Sequence, residues 1–233
     1  MKRQTLQAIN EARRAGRAIV RASDLATGEE MLIDPATDTS PLGLAAAGAA
    51  RADTSGPAQI EGRSWFLSVF NPPLDLVIVG AVHIAQPLIV MASETGYGVR
   101  MIDPRTAFAT PERFPDVKVI AQWPDVALPP LAIDRYTAFV ALTHDPKIDD
   151  PALVHALAKE CFYVGALGSR KTHARRRERL SAHGMSEAAL ARIHAPIGLA
   201  IGAVSPPEIA VAIIGEITAS LRLAPAGRAE AAE

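Results

Sequence analysis

A single cysteine, Cys161, stands in 233 residues, so no disulfide can close within the chain, and no Cys/His pair has the spacing of a zinc site. Neither sign of charge prevails, since 24 Lys and Arg face 25 Asp and Glu for a net charge of -1. Without a basic excess the chain as a whole attracts neither nucleic acid nor an anionic membrane, and any anion must be held by a local patch. No uncharged apolar run approaches the ~20 residues that cross a bilayer. The charged opening from Met1 to Glu11 is not followed by the apolar core of a signal peptide. These absences lead to the expectation of a soluble, cytoplasmic protein with no nucleic-acid or membrane partner.

What is present is apolar material for a sizeable core, 49% of the residues. The length exceeds the ~150 residues of one domain, which predicts unequal parts. Residues 1–73 read as a small N-terminal α+β module and linker, 74–224 as the main domain, and 225–233 as a disordered tail. In the module, Leu6, Ile9 and Ala12/Arg13 have helical spacing and Gly16 stops the helix. Strands are expected at Ala18–Arg21, Met31–Asp34 and Trp65–Phe70, with Thr27-Gly28 as a turn. The Ala-, Gly-, Pro-, Thr- and Ser-rich stretch 35–63 reads as a linker or loosely ordered loop.

From Asp75 the pattern changes to apolar strands alternating with helices. Strands are expected at Leu76–Val79, Val99–Ile102, Val117–Ala121, Thr137–Leu142 and Phe162–Val164, and helices at about 83–95, 151–160, 170–183, 187–193 and 206–221. This alternation predicts an α/β fold with a doubly wound, mostly parallel, Rossmann-like sheet, whose ligands sit outside the carboxyl ends of the strands. Helix starts are legible at the capping box Ser205-Pro206-Pro207-Glu208, at Asp150-Pro151, and at Ser186 between Met185 and Leu190.

Several loops of this domain carry candidate ligand residues. Gly80-Ala81-Val82-His83 follows the first strand as a dinucleotide fingerprint would, and Asp103 ends the second strand about twenty residues on. Val82 replaces the second glycine of that fingerprint, and its branched side chain blocks close approach of a pyrophosphate, so NAD(P) is not expected to bind; Val82→Gly would restore part of the affinity. Pro87, inside the expected helix, removes a ladder hydrogen bond. Asp103 is a ribose ligand or a surface cap at the strand end, and His83 a ligand donor, a helix cap or a solvated side chain. Thr143-His144-Asp145 ends an apolar strand, where ligand residues gather, although a turn into Pro146 explains these residues nearly as well. Gly165-Ala166-Leu167-Gly168-Ser169-Arg170-Lys171 is the best phosphate candidate: two glycines free the backbone, Ser169 caps or contacts the anion, and Arg170 and Lys171 follow. The distal arginines Arg175, Arg176, Arg177 and Arg179 read as a solvated face paired with Glu178 or facing a partner. Gly198 and Gly202 form a second flexible approach before a helix. Cys161 has no base beside it in the motif and reads as a buried packing residue.

The ordered segments Thr143-His144-Asp145-Pro146-Lys147, Phe162 to Arg170, His194 to Leu199 and Ile201 to Ala210 resemble the C-terminal domain of the XdhC/CoxI family, accessory proteins of xanthine dehydrogenase and carbon monoxide dehydrogenase. The resemblance covers roughly residues 74–222. It implies a maturation factor that binds the pterin-based molybdenum cofactor, or a nucleotide form of it, and delivers it to an apo-molybdenum hydroxylase together with a cysteine desulfurase. It also implies a homo-oligomer and a chaperone in place of an enzyme. The chain departs from the family at three places: Val82 stands where Gly-Ala-Gly-His is usual, Ala200 where an acidic residue is common, and residues 1–73 lack the family's Gly-Gly-Cys segment, which a separate polypeptide would then carry. The rival readings are an NAD(P)-dependent oxidoreductase and an interaction subunit that binds no ligand.

Overall fold

The computed structural model describes residues 3–223; the expected disordered tail at 225–233 lies outside them. Among the described residues no helix is long and apolar enough to cross a membrane. The chain divides into two compact units, one running to Pro72 and resuming at Ala219, the other spanning Pro73–Thr218. The end of the last helix, expected to close the main domain, thus falls in the first unit, where Arg222 Nη1 lies 3.0 Å from Asp53 Oδ2.

In the first unit, helix α1 (Arg3–Arg14) buries Ile9 and Ala12. It ends at Gly16, whose φ of 64° lets Arg17 N–H reach back to Ala12 O at 2.9 Å, the glycine-terminated cap expected at a helix end. Strands β1 (Ile19–Asp24) and β2 (Glu30–Ile33) are joined by a turn in which Asp24 Oδ1 accepts from the amides of Ala26 and Thr27. The stretch expected to be a linker folds instead into helix α2 (Pro41–Arg51) and strand β3 (Gly56–Ile60). Alanine, read as low complexity, is also the best helix former; Ser40 caps the helix by accepting from Gly43 N–H, Pro41 occupies its start, and Ala46 and Ala50 are buried. Strand β4 (Arg63–Phe70) completes an antiparallel sheet of order β2-β1-β4-β3, with Val20, Ala22, Trp65 and Leu67 in its core.

The second unit follows the alternating pattern: β5 (Asp75–Val79), α3 (Ala85–Glu94), β6 (Gly98–Ile102), β7 (Val119–Ile120), α4 (Pro124–Ala127), β8 (Thr137–Ala141), α5 (Pro146–Leu157), β9 (Tyr163–Ala166), α6 (Arg170–Ala182), α7 (Glu187–Leu190), β10 (Ile193–His194) and α8 (Pro206–Arg222). Its strands form one parallel sheet of order β10-β9-β8-β5-β6-β7. The first strand of the unit, β5, lies at the centre, and the strand order reverses between β5 and β8, which is the switch point of a doubly wound fold. β8 is buried along its whole length and β5 from Leu76 to Val79. Alternate residues feed two apolar clusters, one around Leu76, Ile78, Leu88 and Val140, the other around Val77, Val79, Phe139 and Leu153.

Prolines account for two departures from expectation. Helix α5 begins at Pro146, capped by Asp145 accepting from Lys147 N–H, and not at Asp150-Pro151; an equivalent Asp-Pro start stands five residues earlier. Asp150 is buried within the helix and accepts from Arg179 Nε and Nη2 at 2.5 and 3.0 Å, while Pro151 forgoes one ladder bond. Pro87 forgoes none, because α3 starts at Ala85 and the proline falls in the first turn, where N–H groups have no intrahelical acceptor. The other starts form as read: Ser186 accepts from Ala189 N–H, and Glu208 Oε2 accepts from Val204 and Ser205 N–H at 2.8 Å each.

The α2 cap is testable. Ser40→Ala should weaken the helix by about 1 kcal/mol and speed amide exchange in its first turn about fivefold; unchanged exchange would show that the cap contributes nothing.

Candidate functional site

Two loops meet at the switch point. Gly80 ends β5 with φ 121°, and a Cβ there would stand 2.8 Å from Thr143 Cγ2 and 3.2 Å from Thr143 N, so only glycine allows the loops after β5 and β8 to press together. Ala81 N–H donates to Asp103 Oδ2 at 2.7 Å. Oδ2 also accepts from Arg105 Nη2 at 2.7 Å, and Oδ1 accepts from the Arg105 amide at 2.9 Å and from Nε at 3.0 Å. Asp103 is fully buried and all four acceptor positions of its carboxylate are filled. In the structure it clamps the loops after β5 and β6 to each other, and its burial sets aside the surface-cap reading. Burial alone would raise its pKa, yet the Arg105 fork and the two amides outweigh that and hold it below the usual carboxylate value. Val82 is half-buried against the apolar cluster on its face of the sheet, while His83 is exposed.

The loop after β8 is organised by a second buried acid. Asp149 Oδ1 accepts from Thr143 Oγ1 at 2.7 Å and Thr143 N–H at 3.3 Å, and Oδ2 accepts from His144 N–H at 3.0 Å. His144 takes φ 62° to make this contact, and Asp145 is the cap of α5. Arg176 Nη2 lies 3.6 Å from Asp149 Oδ2 and donates to Leu167 O at 2.8 Å, linking this loop to the one after β9. Burial pushes the Asp149 carboxyl up and the Arg176 guanidinium down from their ordinary values, against their mutual attraction; the pair is held at a desolvation cost.

The expected solvated face of distal arginines is thus corrected: Arg176 is 1% exposed, because an α6 side chain of that register points back toward the helix start and under the loops. Its neighbours pair elsewhere than with Glu178, Arg177 with Glu187 and Arg179 with Asp150.

After β9 the glycines separate in role. Gly165 lies inside the strand, fully buried, where a Cβ would stand 2.6 Å from Ile197 Cδ1 and 2.7 Å from the Tyr163 hydroxyl. It is a packing glycine and lines no ligand loop. Gly168, with φ 138°, sits against Thr172, and a Cβ there would stand 3.7 Å from His144 Nδ1. Ser169 then caps α6 by accepting from Thr172 N–H at 3.2 Å, and Arg170 and Lys171 are exposed on its first turn. Gly198 is likewise structural: φ is 92°, a Cβ would meet Ala212 at 3.0 Å, and its N–H donates to Glu216 Oε2 at 2.7 Å. Gly202 is exposed with open space around it. The structure therefore gathers Gly80, Asp103, Thr143, His144, Asp145, Gly168 and Ser169 at the strand ends, with His83, Arg170 and Lys171 on adjoining exposed turns, and leaves Gly165, Gly198 and Gly202 outside. Cys161 is 5% exposed and burial pushes its thiol up to about 11, a packing residue. Among the described residues no group of three or more His, Cys, Asp or Glu could hold a metal ion.

One polar cluster escapes sequence reading. Glu216 on α8 accepts from the Tyr163 hydroxyl at 2.6 Å and from Gly198 N–H, and its Oε1 lies 3.1 Å from His194 Nδ1. Residues 163, 194 and 216 share no spacing; an acid after the apolar run Ile209–Gly215 of α8 is the available signal. Burial favours the neutral acid, but His194, Tyr163 and Gly198 together lower its pKa below the ordinary 4.5. A depressed acid stabilises the fold above its unfolded pKa and loses that contribution as pH falls through the folded one. Glu216→Gln should therefore cost about 1–3 kcal/mol at pH 7, a gap that narrows as pH drops below 4.5. Urea titrations of both proteins across pH 3–7 check this, and a gap that widens on acidification would refute it.

A crystal structure described as a xanthine dehydrogenase from Bacillus halodurans shares the fold, with a TM-score of 0.67 at 24% identity over 99% of this chain and 66% of that one. The chain is 31% identical over 153 residues to a probable xanthine dehydrogenase subunit from Bacillus subtilis, covering 65% of this chain and 44% of that protein. It is also 31% identical over 154 residues to the molybdenum cofactor insertion chaperone PaoD of Escherichia coli, covering 66% and 42% respectively. The match thus spans less than half the length of these two relatives. The family model described as the XdhC Rossmann domain matches residues 76–217, the unit that carries every loop described above, and the chain belongs to that family.

Proposed function

We propose that this chain is a maturation factor for a molybdenum hydroxylase of the xanthine dehydrogenase or carbon monoxide dehydrogenase type, holding the phosphate of the molybdenum cofactor and delivering the cofactor to the apo-enzyme. The observation that carries the reading is the start of α6. There Gly168 brings the chain to a thirteen-residue helix whose first turn presents backbone N–H groups, Arg170 and Lys171, with no acidic side chain in that turn, which is how a helix terminus holds an anion. Beneath it, Arg176 Nε and Nη1 are buried without a hydrogen-bond partner, while its charge is matched by Asp149, whose Oδ2 lies 3.6 Å from Nη2. These residues fit a phosphate. The name of PaoD, a cofactor insertion chaperone, supports the cargo, and that of the Bacillus subtilis relative supports a hydroxylase as recipient. In this reading a cysteine desulfurase sulfurates the cofactor, in an assembly containing more than one copy of this chain.

Purified molybdenum cofactor titrated into wild type, Arg170→Ala and Arg177→Ala at two salt concentrations tests the reading. Loss of the Arg170 contact should weaken binding by about 1.5–3 kcal/mol, roughly ten- to a hundredfold, and more at low salt. Arg177, engaged with Glu187, should matter little. Equal affinities remove the α6 start from the site, and no binding to wild type favours a protein that acts by interaction alone.

An NAD(P)-dependent oxidoreductase is disfavoured on grounds stronger than the missing glycine. The Ala81 amide and the Asp103 carboxylate, the two groups that would face pyrophosphate and ribose, bond each other. NADH should not bind wild type, and Val82→Gly alone should not rescue it, in contrast to the expectation from sequence. Tight NADH binding to either protein by calorimetry would reverse this conclusion.

A further inference from the structure

We infer that His144 lies over the start of α6 as a proton-linked contact for the anion held there: its imidazolium grips the anion, and loss of the proton releases it. The inference rests on the reading of the α6 start as an anion site and adds how that site lets go. His144 takes φ 62° and, among the described residues, is the one non-glycine residue of the second unit with a positive φ. Such backbone is strained for a residue with a side chain and persists where the surroundings enforce it. Buried Asp149 enforces it here, accepting from the His144 N–H at 3.0 Å. The ring lies against the neighbouring loop, since a Cβ on Gly168 would stand 3.7 Å from His144 Nδ1. His144 is exposed, and neither ring nitrogen has a hydrogen bond among the described residues. At the α6 start Ser169 Oγ takes the Thr172 amide at 3.2 Å, and the Arg170 and Lys171 amides, lacking an intrahelical acceptor, remain for a ligand. Beneath the same loop Arg176, 1% exposed, keeps Nε and Nη1 without hydrogen-bond partners, a second sign of a group that the protein does not itself supply.

The charged groups around His144 set the direction of the effect. On its own loop Asp149 is buried and engaged by Thr143, His144 and Arg176, and Asp145 caps α5 by accepting from the Lys147 N–H at 2.9 Å. Helix α6 brings Arg170, Lys171 and His173; burial first, then Arg176 and Arg177, push the His173 imidazole down from its ordinary value, which opposes its charging. The loop after β6 brings Arg105, matched by Asp103 and within electrostatic reach of Asp145 and Asp149, and the loop after β5 brings the exposed His83. With the Arg105–Asp103 and Arg176–Asp149 pairs set aside, Asp145 stands against Lys147, Arg170 and Lys171. An anion at the α6 start adds negative charge to this surplus of cations and so favours a protonated imidazole. Histidine is the side chain whose charge changes between pH 5 and 8. Binding therefore takes up a proton, and release of the anion returns it.

Sulfate is the probe, because its charge does not change between pH 6 and pH 8 and any pH dependence then belongs to the protein. Calorimetric titration of the full chain should give binding about tenfold tighter at pH 6 than at pH 8, as expected for one charge-assisted contact. His144→Asn, which tolerates left-handed backbone and does not titrate, should flatten that dependence. Arg170→Ala should weaken binding at both pH values and keep the dependence. Wild type alone supplies a second measurement: saturating sulfate should raise the pH at which the His144 ring protons titrate in NMR spectra by about one, as the reciprocity of linked binding requires. A pH dependence that is absent or that survives His144→Asn overturns the inference and leaves the α6 start an anion site, and so does a His144 titration that sulfate does not move. Absence of sulfate binding at both pH values overturns the inference and the anion site together.

Discussion

The Asp149–Arg176 pair is the constraint on which the ligand end of the parallel sheet depends. Asp149 collects the amides of Thr143 and His144 and the Thr143 hydroxyl, and Arg176 reaches from Asp149 to the carbonyl of Leu167. One buried contact therefore sets the loops after β8 and β9 against each other, and the position of Gly168 follows. The burial is expensive for both groups, as the opposed pKa displacements indicate. Two apolar residues of similar volume would fold at least as well. What they would not do is give the loop amides an acceptor and the Leu167 carbonyl a donor.

Asp103 repeats the device on the other side of the switch point. It too is buried, and it too takes up loop amides and is balanced by one arginine. The two acids explain why a fold that commonly reads nucleotides need not do so here. In each of the two loops the buried carboxylate points inward and is used up by the protein.

Much of this is legible in the sequence, and the rest is hidden for physical reasons. Alternating apolar runs locate five of the six strands of the main sheet, because a strand buried on both faces is a continuous hydrophobic run. β10 escapes because a two-residue edge strand has no pattern. The alanine-rich stretch of α2 resembles a linker because composition describes a linker and a helix in similar terms until Ser40-Pro41 is recognised as a start. The glycines stand out as special, but not for what: Gly80 and Gly168 open loops, whereas Gly165 makes room for Ile197 and the Tyr163 hydroxyl, contacts that no local pattern contains. Asp103 falls at the expected strand end in a different role, since no spacing rule announces that Arg105 folds back on it.

Helix register explains the most consequential correction. A run of six cations between Arg170 and Arg179 spreads round every face of α6, and the helix accordingly shows almost no segregation of apolar from polar residues. Only packing distinguishes its members. Arg176 and Leu180, four apart, are the two buried residues of the helix and define the face turned inward, so the cation on that face must be matched from within the fold by Asp149 and Leu167 O. Arg170 and Lys171, one turn and more before it, lie where the helix emerges from the loops and meet solvent. The same basic sequence thus divides into a buried charge that holds the loops and exposed charges free to meet an anion, and the division is made by the register of a single helix against the sheet.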